Sequence, residues 1–422
     1  MSLLSFVFRI FTNCETDPEP PEERDWLDLE DPAARPSTDI EKFKALNYNI
    51  LADNYVSRHT YGYVPERVLA WQNRRVVILD EITHADADIV CLQELDRGSY
   101  DDYFRSNMSK SGYHSYYAQK GRAETAGDKA VKVDGCGTFW KDKKYVALDK
   151  QHLVLGREAV ARPGVRASAD MVNRVFMKDH IATVVLLENR MTGSRIIVVN
   201  THMFWDPAFK DVKLIQAAVL MEELTRLSKL YAEKPPCTNK KLFSFTDADD
   251  DTTSEPAQEP GPSQSYELGT QIPMIICGDF NSGYNSAVYN LITQRHLQAE
   301  HPDLAGYNYD YYTEKGMEHP FTLKSAYGDS PEAIKSSLQF TNYTPGFTDV
   351  LDYIWYSTNT LRVTGLLGRV DDDYLTKVPG FPNAHFPSDH LALVAEFVVP
   401  QRKAATPPVE RHQADFGPSS RK

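Results

Sequence analysis

Six places in this 422-residue chain bring together residue types that can do chemistry. One apolar run ends on Asn49, a second on Gln93 and Glu94, and a third on Asn200, Thr201 and His202. A fourth leads into Gly278, Asp279, Phe280 and Asn281. Asp352 follows Val350 and Leu351, and Ser388, Asp389 and His390 precede a last apolar run. Glu94 and Asp389 are hard oxygen donors and Asn49 offers a carbonyl oxygen, a set that suits Mg²⁺. No Cys-x-x-Cys or His-Glu-x-x-His pattern is present, which disfavours zinc. Asp279 with His202 or His390 can handle protons, and Asn281 can hold an oxyanion. Such groups around a hard cation are the parts that hydrolyse a phosphodiester: the metal neutralises phosphate charge and a carboxylate activates water.

The elements that must position these residues alternate. Strand-like runs are expected at Phe43–Leu51, Asp88–Leu95, Gly135–Trp140, Ile181–Leu187, Arg195–Thr201, Pro273–Cys277, Val350–Tyr356 and Leu391–Val398. Helices are expected at Val68–Ile82 and Asp211–Tyr231, the second with Leu214, Ile215, Ala218, Val219, Leu224 and Leu227 on one stripe. Strands alternating with helices make an α/β layered fold, and so many strands suggest two packed sheets. Functional groups in such folds collect where strands end and loops begin.

Charge sets the remaining bounds. The net charge is −13, which by itself argues against binding nucleic acid through an overall field. Most of it lies outside the ordered block: residues 15–41 carry −9, residues 246–267 carry −7 and the tail from Gln401 carries +3. With the insertion 246–267 set aside, the block 43–400 is therefore near neutral. Expected organisation is an acidic, mostly disordered segment 1–42, a catalytic domain 43–400 with a flexible acidic insertion at about 235–270, and a disordered tail 401–422. No apolar run approaches the ~20 residues of a membrane span. Five cysteines without paired spacing do not read as a disulfide framework, so a reducing compartment is expected, cytoplasmic with the nucleus as a second location.

Taken in order, NYNIL at Asn49, LQE at Glu94, NTHMFWDP at His202, GDFNS at Asp279, LDYIWYS at Asp352 and PSDH at His390 resemble the exonuclease–endonuclease–phosphatase superfamily. YGYVPERVLAW, VDGCGTFWK, NRVFMKDHIA, WDPAFKDVKLIQ, FTNYTPGFTDVLDYIWYS and GFPNAHFPSDH narrow the resemblance to the catalytic domain of Ccr-type poly(A) deadenylases. The resemblance implies a DNase-I-like fold, two packed mixed sheets flanked by helices in four layers. It implies Mg²⁺-dependent 3′-to-5′ removal of poly(A) with release of 5′-AMP, using one or two ions, with Mn²⁺ as an alternative. It implies metal and phosphate ligands at Glu94, Asn49, Asp279 and Asp389. Asp279 would be the catalytic carboxylate, His390 the catalytic histidine oriented by Asp352, and Asn281 and His202 would face the phosphate. Pro207, Asn342 and Phe347 would grip the adenine, so that substrate contacts include Glu94, His202, Pro207, Asn281, Asn342 and Phe347. Expected partners are poly(A) RNA and the proteins of a deadenylase complex, with no membrane. Complete deadenylase subunits dock through leucine-rich repeats, and the nuclease motifs here begin about 40 residues into the chain. The alternative is another phosphodiesterase or phosphatase of the superfamily, acting on 2′-linked, dinucleotide or inositol-phosphate substrates.

Overall fold

Period-two burial decides how the chain is layered. Along strand β2 (Glu41–Asn49), Phe43 and Ala45 face one core, while Leu46 and Tyr48 face another. Along β3 (Ile89–Asp96), Ile89 and Cys91 join the first core and Val90 and Leu92 the second. A sheet covered on both faces must be apolar on both, which is why these runs read as continuous hydrophobic stretches. These features belong to a computed structural model that describes residues 18–30, 41–161, 167–240, 259–328 and 330–400.

Among the described residues, seventeen strands follow in chain order. The first eight are β1 (Trp26–Asp28), β2, β3, β4 (Tyr113–Gln119), β5 (Asp134–Lys141), β6 (Tyr145–Val154), β7 (Ile181–Asn189) and β8 (Arg195–His202). Then come β9 (Met274–Asp279), β10 (His296–Leu297), β11 (Met317–Glu318), β12 (Leu323–Ser325), β13 (Asn342–Thr344), β14 (Phe347–Asp349), β15 (Asp352–Ser357), β16 (Arg362–Leu367) and β17 (Leu393–Val399). One sheet has the order β1-β16-β17-β2-β3-β5-β4 and the other β12-β15-β9-β8-β7-β6. Each sheet is antiparallel except at its centre, where β2 runs parallel to β3 and β8 parallel to β9. The sheets pack face to face: Phe43, Ala45, Ile89 and Cys91 meet Val185, Val198, Ile275, Cys277 and Ile354. The helix Trp71–Ala85 covers the outer face of the first sheet through Ile78 and Ile82, and Lys210–Ala232 covers the second through Leu214, Ala218 and Leu224. The expected four-layer sandwich is the observed one.

Several expectations need correction. The strand expected from Val350 begins at Asp352, because the preceding residues form the β13–β14 hairpin. Strands β4 and β6 are absent from the sequence reading, since their half-exposed faces carry polar side chains, and β16 is absent because Thr364 and Gly365 interrupt its short apolar run. Residues 18–30, expected within a disordered acidic segment, are placed on the first sheet. Arg24 donates to the carbonyls of Gly368 and Ala392, each at 2.7 Å, and β1 pairs with β16, where Gly365 leaves room for the Trp26 ring. The flanks of the insertion are also placed. Buried Glu188 accepts from Arg195 (3.0 Å), Lys240 (2.6 Å) and Ser263 (2.6 Å), and Lys240 reaches the Gly261 carbonyl at 2.7 Å. Residues 241–258 and the tail 401–422 lie outside the described residues. Among the described residues, no helix is long and apolar enough to cross a membrane.

Candidate active site

The same alternation that builds the inter-sheet core builds the site. Following the inward positions to the strand ends, β2 passes from Ala45 to Asn47 and Asn49, and β3 from Cys91 to Gln93. In the other sheet β8 passes from Val198 to Asn200 and His202, β9 from Cys277 to Asp279, and β15 begins at Asp352 before Ile354. An apolar slab thus gives way to a layer of amides and then to a layer of charge. Gln93 donates to Asn47 and Asn200, both at 2.8 Å, and Asn200 donates to the carbonyls of Leu92 and Gly137. The layer is cross-linked in this way, but Gln93 Oε1 is buried without a hydrogen-bond partner, a costly exception for a buried polar atom.

Glu94 reaches the same space by breaking the alternation. Its φ is +56°, and the β3–β5 register shifts between Leu92 and Leu95. A bulge of this kind re-aims a side chain, at the strain cost typical of functional positions. One Glu94 oxygen accepts from the Ala52 amide at 2.9 Å and the other from Asn49 Nδ2 at 3.2 Å. Burial, followed by the neighbouring Asp134 and Asp389 charges, pushes the Glu94 carboxyl up to about 7. Asn49 is oriented differently from expectation. Its Oδ1 accepts from the Leu51 amide at 3.1 Å, so its Nδ2 faces the carboxylates, 2.9 Å from Asp279 Oδ2. It is a donor to the carboxylates rather than an oxygen ligand beside them. Asp389 accepts from Tyr61 OH at 2.8 Å and Asn342 Nδ2 at 3.3 Å.

Asp279 stands at the centre. Its Oδ2 lies 3.7 Å from His202 Nε2 and 3.8 Å from His390 Nε2. Burial, then the Asp352 charge, raises its carboxyl to about 7, while His390 and the Asn281 amide pull the other way. His390 Nδ1 is 2.7 Å from Asp352 Oδ2. Burial opposes charge on that ring, and Asp352, Asp279 and Asp389 outweigh it, so His390 is held well above the usual imidazole range. His202 goes the other way: burial and then Lys120 hold it well below that range. Two nearby histidines are thereby set to opposite charge states at neutral pH. Asn281, with φ +48°, donates its backbone N–H to Asp279 Oδ1 at 2.8 Å and its side-chain N–H to the Met203 carbonyl at 3.0 Å.

All of this opens into one cleft of about 1000 Å³. Of the expected residues, Glu94, His202, Pro207, Asp279, Asn281, Asn342, Phe347, Asp389 and His390 line it, and Asn49 and Asp352 support it from behind. Phe347, 48% exposed near the tip of the β13–β14 hairpin, and Pro207 stand at its rim beside Trp205. One wall was not anticipated. Lys120, buried, lies 2.7 Å from Asp134, and Arg122 bridges Asp134 and Asp179. Tyr55, Tyr61, His180 and Lys213 also line the cleft. Tyr61 and Asp134 fall inside the motifs YGYVPERVLAW and VDGCGTFWK, so a signal was present there. Arg122 lies in a one-turn 3₁₀ helix, Gly121–Thr125, with Lys120 at its N-cap, a stretch that carried none.

Among the described residues, Asp279, Asp352 and His390 bring ligand atoms within 4.8 Å of one another, close enough to share a metal ion. Because His390 Nδ1 is engaged by Asp352, that trio also forms a proton-handling relay. Glu94, raised by burial and then by the Asp134 and Asp389 charges, makes with Asp389 an oxygen-only pair that fits a hard divalent cation as well.

Comparison with known proteins agrees with the geometry. The model of the Endonuclease/Exonuclease/phosphatase family matches residues 46–390. Proteins named CCR4-Not complex 3′-5′-exoribonuclease subunit Ccr4 are similar. The one from Aspergillus fumigatus is 52% identical over 94% of this chain and 56% of its own length. The one from Coccidioides immitis is 52% identical over 96% of this chain and 53% of its own. The chain spans about half the length of the curated relatives it matches. Among solved structures, ANGEL2, a 2′,3′-cyclic phosphatase, shares the fold with a TM-score of 0.64 at 24% identity, over 89% of this chain and 99% of that one. The human Nocturnin catalytic domain does so at 0.53 and 22%, over 89% and 97%.

Proposed function

The chain belongs to the endonuclease/exonuclease/phosphatase family, and from that premise we propose that it is a Mg²⁺-dependent, poly(A)-specific 3′-to-5′ exoribonuclease releasing 5′-AMP. The observation that carries this reading is a single cleft lined both by the phosphate-handling pair Asp279 and His390 and by Phe347, Pro207 and Asn342. Aromatic and proline faces with polar edges are how single-stranded bases are gripped.

Glu94 and Asp389 would hold the ion, alone or as part of a two-ion site with Asp279, and the ion would neutralise charge on the scissile phosphate. Asp279, near neutrality in its proton affinity, takes a proton from the attacking water. His390, kept cationic by Asp352, faces the charge that builds on the phosphoryl oxygens. His202, kept neutral, stands 3.7 Å from Asp279 Oδ2 and is a second contact for the phosphoryl group. Asn281 offers its remaining amide hydrogen to a phosphoryl oxygen. Phe347 and Pro207 sandwich the terminal adenine, and Asn342 reads its edge.

The names of the similar proteins support assembly into a deadenylase complex, and the free cysteines Cys91, Cys136, Cys237 and Cys277 suit a reducing cytoplasmic or nuclear setting. The test is release of 5′-AMP from an oligo(A) 3′ end, with Mg²⁺ present and with EDTA. Glu94→Ala and Asp279→Ala are expected to lose turnover while unfolding at temperatures near that of the wild type. Release of phosphate from inositol phosphates or 2′–5′ adenylates, with oligo(A) untouched, would assign the cleft to another substrate.

A further inference from the structure

The cleft wall continues outward as a strip in which cations alternate with aromatic rings. Phe204 lines the cleft. The Lys178 ammonium sits 4.2 Å from the centre of its ring and 4.8 Å from that of Phe209. The Arg174 guanidinium lies 4.6 Å from the Phe209 ring and 4.1 Å from the Tyr307 ring. Trp205, 65% exposed, stands where the strip meets the cleft rim, and Phe176, Met177 (69% exposed) and Tyr307 are exposed along it. Arg174 is fixed by Asp211, to which it donates at 2.7 and 3.0 Å, so its plane is held in place. Contiguous exposed apolar side chains on a folded surface mark a place of contact.

We propose that this strip is a binding track for single-stranded RNA, carrying the nucleotides 5′ of the one in the cleft. The proposal rests on the exoribonuclease reading for the direction in which the chain leaves the site. Two features choose RNA as the occupant. The strip is continuous with the cleft through Phe204 and Trp205, so a polynucleotide held by its 3′ end crosses it on leaving. Its composition, aromatic rings interleaved with Lys and Arg, matches bases that stack and phosphates that need counter-charge. The exposed Trp205 and Tyr307 rings offer stacking faces, Arg174 holds Tyr307 in place from beneath, and Lys178 offers a phosphate contact. The near-neutral nuclease block therefore does not need a broad basic surface to hold a tail.

The test compares wild type with the double variant Lys178→Ala, Tyr307→Ala. Neither residue is in the phosphate or adenine site. Binding is measured in EDTA with a 15-nucleotide oligo(A) by fluorescence anisotropy and with 5′-AMP, which has no nucleotide to place on the strip, by calorimetry. The expected result is roughly tenfold weaker binding of the long oligonucleotide, with 5′-AMP binding unchanged. Unchanged affinity for the long oligonucleotide would overturn the track and leave the strip to a protein partner. Equal loss on both ligands would also overturn it. Because binding is read without cleavage, an enzyme inactive on RNA would refute the exoribonuclease reading without obscuring this result.

Discussion

The Lys213 ammonium lies 2.7 Å from the carbonyl oxygen of Asn281, a residue in the left-handed backbone region. Asn281 in turn donates its backbone N–H to Asp279, so a helix residue 68 positions away fixes the peptide that orients the central carboxylate. Lys213→Met is expected to lower kcat by about one to two orders of magnitude with little change in KM, as for a residue that positions rather than binds. In an Asn281→Gly background the same change should add much less, the sign of coupled residues in a double-mutant cycle. A rise in KM with additive effects would instead place Lys213 on the substrate phosphate.

His390 owes its charge to Asp352, 2.7 Å from its Nδ1. Asp352→Asn removes the largest of the influences that raise the imidazole, so the pKa must fall. The alkaline limb of the kcat–pH profile is expected to move to lower pH, and kcat to drop by about 10² to 10⁴. A drop in rate with an unmoved limb would show that His390 is not the group titrating there.

Behind the site, burial pushes the Glu81 carboxyl up to about 7, beside Tyr48 and Arg24. The folded pKa is raised, so its contribution to stability is full below about 4.5 and is lost as pH rises through about 7. Glu81→Gln does not ionise. Its unfolding temperature should therefore gain on that of the wild type between pH 5 and 8, by an amount equivalent to at most about 3 kcal/mol. Parallel curves would contradict the burial argument.

Glu188 holds both flanks of the insertion through Arg195, Lys240 and Ser263. Glu188→Ala leaves two buried cations uncompensated and is expected to cost about 3–5 kcal/mol, read by urea unfolding. Replacing residues 241–258 with a short Gly/Ser link should leave the midpoint near that of the wild type, because the anchoring contacts lie outside the excised stretch. A midpoint unchanged by Glu188→Ala would remove this clamp from the account.

The centre of the site was legible because strands have period two. Once Ala45, Cys91, Val198 and Cys277 are inward, Asn49, Gln93, His202 and Asp279 must end on the same face. Glu94 was legible by type but not by aim, which depends on a positive φ that no pattern announces. Asn49 was placed correctly but turned the wrong way, since the Leu51 amide claims its oxygen. Lys120 and Arg122 sit at the start of a one-turn 3₁₀ helix, too short for a period to give side-chain direction. The acidic segment around Trp26 hid its two anchors, because composition averages over single residues such as Arg24 that find buried partners.

The central claim, an adenine-selective exonuclease site, is tested most directly by incubating purified protein and Mg²⁺ with RNAs ending in A, U or C homopolymer tails, with Asp279→Ala as control. The account expects stepwise 3′ shortening of the A tail with 5′-AMP as product, little change in the U and C tails, and no shortening by Asp279→Ala. Equal shortening of all three tails, or shortening by the Asp279→Ala variant, would contradict it.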